Sequence, residues 1–268
     1  MTTLKADIAL DAAGQVKGDL YLPDGAGPHP IVVAVHGGGW RRGSPKALAQ
    51  WGRFLAANGI AMFAAAYRLT TTGKTWPHNL GDVSAVLVAL RSAAPAFSLD
   101  LDRVAMLGAS AGAHLAALAT LTRDEARTPP VRVLVGIYGP YDLVQHWQSD
   151  LIKHMPAAED PSVRMLGVTP LDAPRTYFDA SPINHVTYAC RHLKIMLVHG
   201  DRDEDIDPKQ SDAFALRLRQ AGAMVQSVTV PGAGHLWFSN EDMTEPTSHC
   251  AYVAPRLLGF LKTHLVGQ

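Results

Sequence analysis

The chain is poor in cysteine. Only Cys190 and Cys250 occur, far apart and in none of the short spacings that make zinc or redox sites. That excludes a disulfide-stapled framework and leads us to expect a reducing cytoplasm. No charge of one sign is in excess, since Lys+Arg and Asp+Glu number 24 each, and no basic run stands out. Neither nucleic acid nor an anionic membrane surface is therefore an expected partner. The opening residues lack a charged segment followed by an apolar core, so no signal peptide is expected. Nor does any apolar stretch read as long enough to span a membrane. No internal repeat, low-complexity tract or linker interrupts the chain, and no His-Glu-x-x-His or comparable ligand cluster occurs, so neither metal nor cofactor is expected. What remains is 268 residues, 47% hydrophobic and 18% charged, the composition of a globular chain able to bury one α/β core along its length.

Periodicity supplies the order of elements. Loose alternation over residues 16–22 and a Pro23-Asp24-Gly25 turn suggest, with the opening residues, an antiparallel hairpin at a sheet edge. Short continuous apolar runs at 31–35, 60–66, 103–107, 131–137 and 193–198 read as strands buried on both faces. Helical patterns fill 45–57, 79–93, the stretch after residue 110 to about 121, 208–221 and 249–265, with a further strand at 224–230. Strand and helix alternate, which predicts one domain with a mostly parallel sheet and helices on both faces. From 138 to 191 the pattern lapses into Pro, Asp and aromatics, which predicts an insertion with short helices forming a lid or pocket wall. Gly73-Lys74-Thr75 ends like a phosphate-binding loop, but Arg68 stands where that motif requires glycine.

Within this frame, Gly108-Ala109-Ser110-Ala111-Gly112 lies between a strand and an alanine-rich helix. A serine at the apex of such a turn is held clear of the sheet, and glycines two positions either side admit close backbone approach. A serine hydroxyl is a weak nucleophile until a base takes its proton, and the base needs a third group to orient it. Both belong in loops at the carboxyl ends of parallel strands. His235 follows the strand at 224–230, and Asp203 follows the strand at 193–198, with Asp201 and Asp205 as rivals in the same acidic loop. The order Ser110, Asp203, His235 is the one such a sheet uses. An oxyanion needs backbone donors, for which Ala111 and, after the third strand, Gly38 and Gly39 are the candidates.

These motifs resemble the α/β-hydrolase superfamily, and within it the esterases with an HGGG-type oxyanion loop, both the hormone-sensitive-lipase-like carboxylesterases and the small arylformamidase-like esterases. The resemblance rests on His36-Gly37-Gly38-Gly39-Trp40, Tyr67-Arg68-Leu69, Asp82, Gly108 through Leu115, Ala180-Ser181-Pro182, His199 through Asp203 and Gly234-His235, and runs from about residue 16 to the C-terminus. His36 comes too early for the long helical region that precedes this loop in capped relatives, and the acid loop continues Ile206-Asp207-Pro208 where Val-Pro is usual. The resemblance implies an α/β-hydrolase fold and a serine hydrolase that cleaves small carboxylic esters through an acyl-enzyme. The alternatives are an arylformamidase, favoured by Trp40 after the glycines, and a catalytically silent small-molecule receptor. Trp40, Tyr138, Trp147 and Leu236 are expected to bind substrate, with Tyr141, His146 and Trp237 as further walls. His36, His114 and His199 are expected to be structural, and Tyr67, Arg68 and Asp82 to form a scaffold network. A small-molecule ester is the expected partner, and the oligomeric state, a homodimer included, is left open.

Overall fold

A computed structural model describes residues 2–71, 73–153, 155–156 and 158–267. Strands β1 (Thr3–Ala9) and β2 (Lys17–Leu22) form the antiparallel edge hairpin, with Thr3 opposite Leu22 and Ala9 opposite Lys17. They are followed in the chain by β3 (His29–Val35), β4 (Ala61–Ala65), β5 (Leu99–Ala109), β6 (Val131–Ile137), β7 (Lys194–Gly200) and β8 (Met224–Val230). The spatial order is β1-β2-β4-β3-β5-β6-β7-β8, antiparallel up to β4 and parallel from there on. This is the α/β-hydrolase arrangement expected from the sequence.

The unbroken apolar runs follow from burial on both sides. Along β3, Ile31, Val33 and Val35 belong to one core layer while Val32 and Ala34 belong to the other, all without solvent exposure. The first layer is closed by α2 (His78–Phe97), α3 (Ala111–Leu121) and α7 (Lys209–Gln220), the second by α1 (Ala49–Ala57) and α9 (His249–Leu261). Small side chains let α3 lie against the sheet, and every residue from Ala111 to Thr120 is buried.

Several boundaries differ from expectation. The helix expected at 79–93 runs to Phe97 and takes Pro95 into its last turn, where the apolar periodicity had already lapsed. It also corrects the expectation about membrane-spanning length. By length and composition α2 is apolar enough to cross a bilayer, because many weakly apolar alanines add up without forming a conspicuous run. Here Val83, Val86, Leu87 and Leu90 are buried in the core, while Asp82 and Arg91 stay in the helix. The strand expected at 103–107 extends over the whole of β5. The last helix ends at Leu261 and passes into a wider turn, Lys262–Val266.

Between β6 and β7 the chain forms α4 (Leu143–Ile152), α5 (Pro161–Leu166) and α6 (Pro174–Ala180). Asp142 starts α4 by accepting from the amides of Val144 and Gln145 through its side chain. Gln210 on α7 holds the approach to it, accepting from the amides of Tyr141 and Asp142 at 2.8 Å each and donating to the Asp142 carbonyl.

Candidate active site

The chain leaves β3 toward β4 on one side, and β5 then pairs with β3 on the other. The loops after β3 and β5 therefore diverge and leave a crevice at the carboxyl ends of these strands. Ser110 and the glycine run border that crevice from adjacent strands whose register pairs Val35 with Gly108. At Ser110 the backbone takes φ 55°, ψ −125°, a conformation that costs a non-glycine residue of order 1–3 kcal/mol and persists only where its surroundings impose it. The flanking glycines show how. A Cβ on Gly112 would stand 2.1 Å from the Val35 carbonyl oxygen, and one on Gly108 would stand 2.2 Å from that of Gly112. Backbone from β3, β5 and α3 closes on the turn with no room for a methyl group.

The structure brings the three sequence candidates together. His235 Nε2 lies 3.0 Å from Ser110 Oγ, and its Nδ1 lies 2.7 Å from Asp203 Oδ2. An ionised carboxylate only accepts, so Nδ1–H donates to Asp203 and Nε2 is left to accept from the serine hydroxyl. The acidic loop resolves onto one member. Asp203 has no side-chain exposure, whereas Asp201 turns away to accept from the Gly232 amide and Asp205 is exposed. Burial alone would raise the Asp203 carboxyl. Bonds from His199 and His235, the charge of His235 and the Ile206 amide outweigh it and hold the group well below the usual carboxylate range. The Asp205 and Ile206 amides donate to Oδ1 at 3.0 and 2.9 Å, and His199 Nε2 stands 3.3 Å from Oδ2.

Gly38 and Gly39 take φ of +123° and +57°, and both border the same cavity as Ser110 and Ala111. As the first residue of α3, Ala111 has no carbonyl one turn back for its amide. His36 steadies the loop as expected. Its Nδ1 lies 2.8 Å from the Gly37 carbonyl, and its ring stacks on Tyr67, whose hydroxyl donates to the His36 carbonyl. Arg68 and Asp82 do pair, in two bonds of 2.7 Å.

The expected substrate walls are partly corrected. Leu236 and Trp40 border the cavity, but the Trp40 indole is only 1% exposed and points into the fold. Its Nε1–H donates to His114 Nδ1 at 3.2 Å, and His114 Nε2–H donates to the Ala180 carbonyl at 2.7 Å. Tyr138 is fully buried behind the cavity, its ring 4.5 Å from that of His235, with Trp237 packed on its far side. Trp147 misses the cavity because it lies about 100° further round α4 than His146, and it packs on the core. Tyr141 stacks on Phe214 in the core. Sequence reasoning missed Asp150, Lys153, Pro140 and Pro161, which border the cavity beside His146. The signal that points to the first of them is the four-residue spacing of His146 and Asp150 after the Asp142 cap. Lys153 Nζ donates to the carbonyls of Glu204 and Asp205, tying the end of α4 to the acid loop. The cavity holds about 240 Å³.

The His114 link makes this loop sensitive to acid. Burial is the main cause that pushes His114 down to about 4, with the Ala180 carbonyl opposing it and His146, once protonated in acid, adding to it. Between the ordinary histidine value and about 4, the unfolded chain binds a proton that the folded chain refuses, so stability falls as pH falls through that window. Replacing His114 with leucine should lower stability at pH 7 by about 1–3 kcal/mol, since the Trp40 indole loses its acceptor. The variant should then lose roughly 2 kcal/mol less than the parent between pH 7 and 4.5. Urea unfolding at the two pH values measures both, and parallel losses in the two proteins would contradict the linkage.

The comparisons with known proteins give the chain its family. The family model described as BD-FAE matches residues 18–218, most of the chain. The chain belongs to the BD-FAE family. This BD-FAE chain is 32% identical to Esterase LipC of Mycobacterium tuberculosis over 83% of its own length and 57% of that protein. It is 28% identical to a probable isoprenylcysteine alpha-carbonyl methylesterase of Oryza sativa subsp. japonica, over 81% of its own length and 54% of that protein. The BD-FAE chain thus spans about half the length of the curated relatives it matches. A solved esterase from Rhizomucor miehei shares its fold with a TM-score of 0.82 at 20% identity, covering all of this chain and 85% of that one.

Proposed function

We propose that the chain is a serine carboxylesterase acting on small esters. The reading is carried by one observation, the relay of Ser110, His235 and Asp203 at 3.0 and 2.7 Å opening onto a small cavity. Ser110 Oγ attacks the ester carbonyl while His235 Nε2 takes its proton, and Asp203 holds the imidazole and balances the imidazolium. The amides of Gly38, Gly39 and Ala111 stabilise the oxyanion. His235 returns the proton to the departing alcohol, and water, deprotonated by the same imidazole, releases the acid from Ser110. The names of the relatives, an esterase and a methylesterase, support the class. The arylformamidase alternative loses its motive, because Trp40 is occupied with His114 rather than presented to a substrate.

The cavity volume lies just below the usual range for ligand sites, which favours short chains. Across p-nitrophenyl esters from acetate to decanoate, kcat/KM should be highest for acetate to butyrate and fall at least tenfold by decanoate, with N-formylkynurenine turned over far more slowly. Absence of hydrolysis across the whole ester series would sink the reading.

A further inference from the structure

Two polar side chains in the cavity wall have no part in the relay. His146 and Asp150 lie four residues apart on α4, so they project from one face of the helix toward the crevice. They are only 4% and 3% exposed, and both border the cavity beside Ser110 and His235. Their facing atoms, His146 Nε2 and Asp150 Oδ2, stand 3.7 Å apart, beyond hydrogen-bond reach. Lys153 Nζ is also 3.7 Å from the carboxylate and spends its protons on the Glu204 and Asp205 carbonyls. Among the described residues, neither side chain makes a hydrogen bond. The slight exposure that the two side chains keep is toward the cavity, so whatever occupies the cavity supplies the donors that a carboxylate there needs.

The local charges narrow the choice of supplier. Burial pushes His146 down and Asp150 up, so the imidazole stays neutral and offers either a donor or an acceptor at Nε2. An oxygen atom about 2.8 Å from each facing atom bridges the 3.7 Å separation from a point about 2 Å to the side of the line between them. A hydroxyl gives its one proton to the carboxylate and accepts from the imidazole when Nε2 carries its hydrogen, so it satisfies both groups at once in that tautomer. An ammonium group only donates and would sit beside the Lys153 charge.

We infer that His146 and Asp150 form a hydroxyl-binding subsite, which selects esters carrying a free hydroxyl near the scissile bond. The inference rests on the esterase reading and names the substrate chemistry of the same site. Two pairs of esters differ only in a terminal hydroxyl against a methyl group: 2-hydroxyethyl acetate with propyl acetate, and ethyl 3-hydroxypropanoate with ethyl butanoate. The first pair probes the alcohol side and the second the acyl side. The wild-type chain should prefer the hydroxylated ester of at least one pair by about tenfold in kcat/KM. In Asp150→Leu, an apolar replacement of similar shape, that ratio should fall to about one. His146→Phe, checked alongside by thermal melting, supplies the same ratio should the first variant fold poorly.

A wild type that hydrolyses both members of both pairs equally overturns the subsite while leaving the esterase reading standing. Equal losses on both members in both variants, with the ratio kept, would assign the two residues a structural role instead. A preference for 2-(dimethylamino)ethyl acetate over 2-hydroxyethyl acetate, lost in Asp150→Leu, would overturn the hydroxyl in favour of a cation. No hydrolysis of any ester would remove the esterase reading, and the subsite with it.

Discussion

Ser110→Ala should lose turnover of p-nitrophenyl acetate by a factor on the order of 10⁶, the scale of removing a triad serine that acts as a unit with its base. The fold should not notice. Among the described residues the hydroxyl hydrogen-bonds to His235 alone, the Cβ that alanine keeps is already accommodated, and the turn is held by the backbone around Gly108 and Gly112. Thermal unfolding should therefore shift by no more than a surface-like change, about 0.5 kcal/mol. A fluorophosphonate probe that labels the wild-type chain once should fail on this variant. Residual turnover within a hundredfold of wild type would show that another group attacks the ester and would remove Ser110 from the mechanism.

Asp203→Asn should cost about four orders of magnitude in kcat, for a different reason. The side chain keeps its shape, but one of its two acceptors becomes a donor. Oδ1 receives the Asp205 and Ile206 amides, so the oxygen that asparagine retains is drawn to that side. The amide nitrogen then faces His235 Nδ1, which must accept. The proton moves to Nε2, pointing at Ser110, and the base is gone. Stability should also fall and should vary less with acid. In the parent the depressed Asp203 carboxyl contributes stability that is fully present above the ordinary carboxylate value and lost as pH falls toward its lower folded one. Asparagine has no such term. Steady-state kinetics with urea unfolding at neutral and acid pH test both halves. Activity within a hundredfold of the parent would show that Asp203 does not set the tautomer of His235 and would remove it from the relay.

What could be read in advance divides along a physical line. The strands and the Ser110 turn were legible because each demand on them is local. A strand buried on both faces has to be continuously apolar, and a turn squeezed by backbone has to carry glycine. The base and acid were legible as positions, since strand ends meet on one rim of a parallel sheet. Choosing Asp203 among its neighbours needed the fold, because what separates it from Asp205 is the side of the loop that is buried. The cavity wall was least legible. Tyr138 and Trp147 were expected there for their aromatic rings, yet Tyr138 packs behind His235 and Trp147 turns onto the core. Asp150 and Lys153 reach the crevice through a helix whose placement depends on Gln210 of α7, a contact between distant parts of the chain that leaves no periodic trace.

The crossover between β3 and β5 has a consequence for how such a chain can change. Nucleophile and oxyanion loop hang from neighbouring rungs of one hydrogen-bonded ladder, Val35 beside Gly108, so their separation is set by sheet geometry that no helix can alter. The wall facing them comes from α4 and α5, in the stretch of chain between β6 and β7, where Gln210 anchors the start of α4 and Lys153 its end. Reaction and selectivity are thus carried by separable hardware. Exchanging the segment between Asp142 and Lys153 should redirect which ester is accepted while the bond-breaking apparatus stays in register.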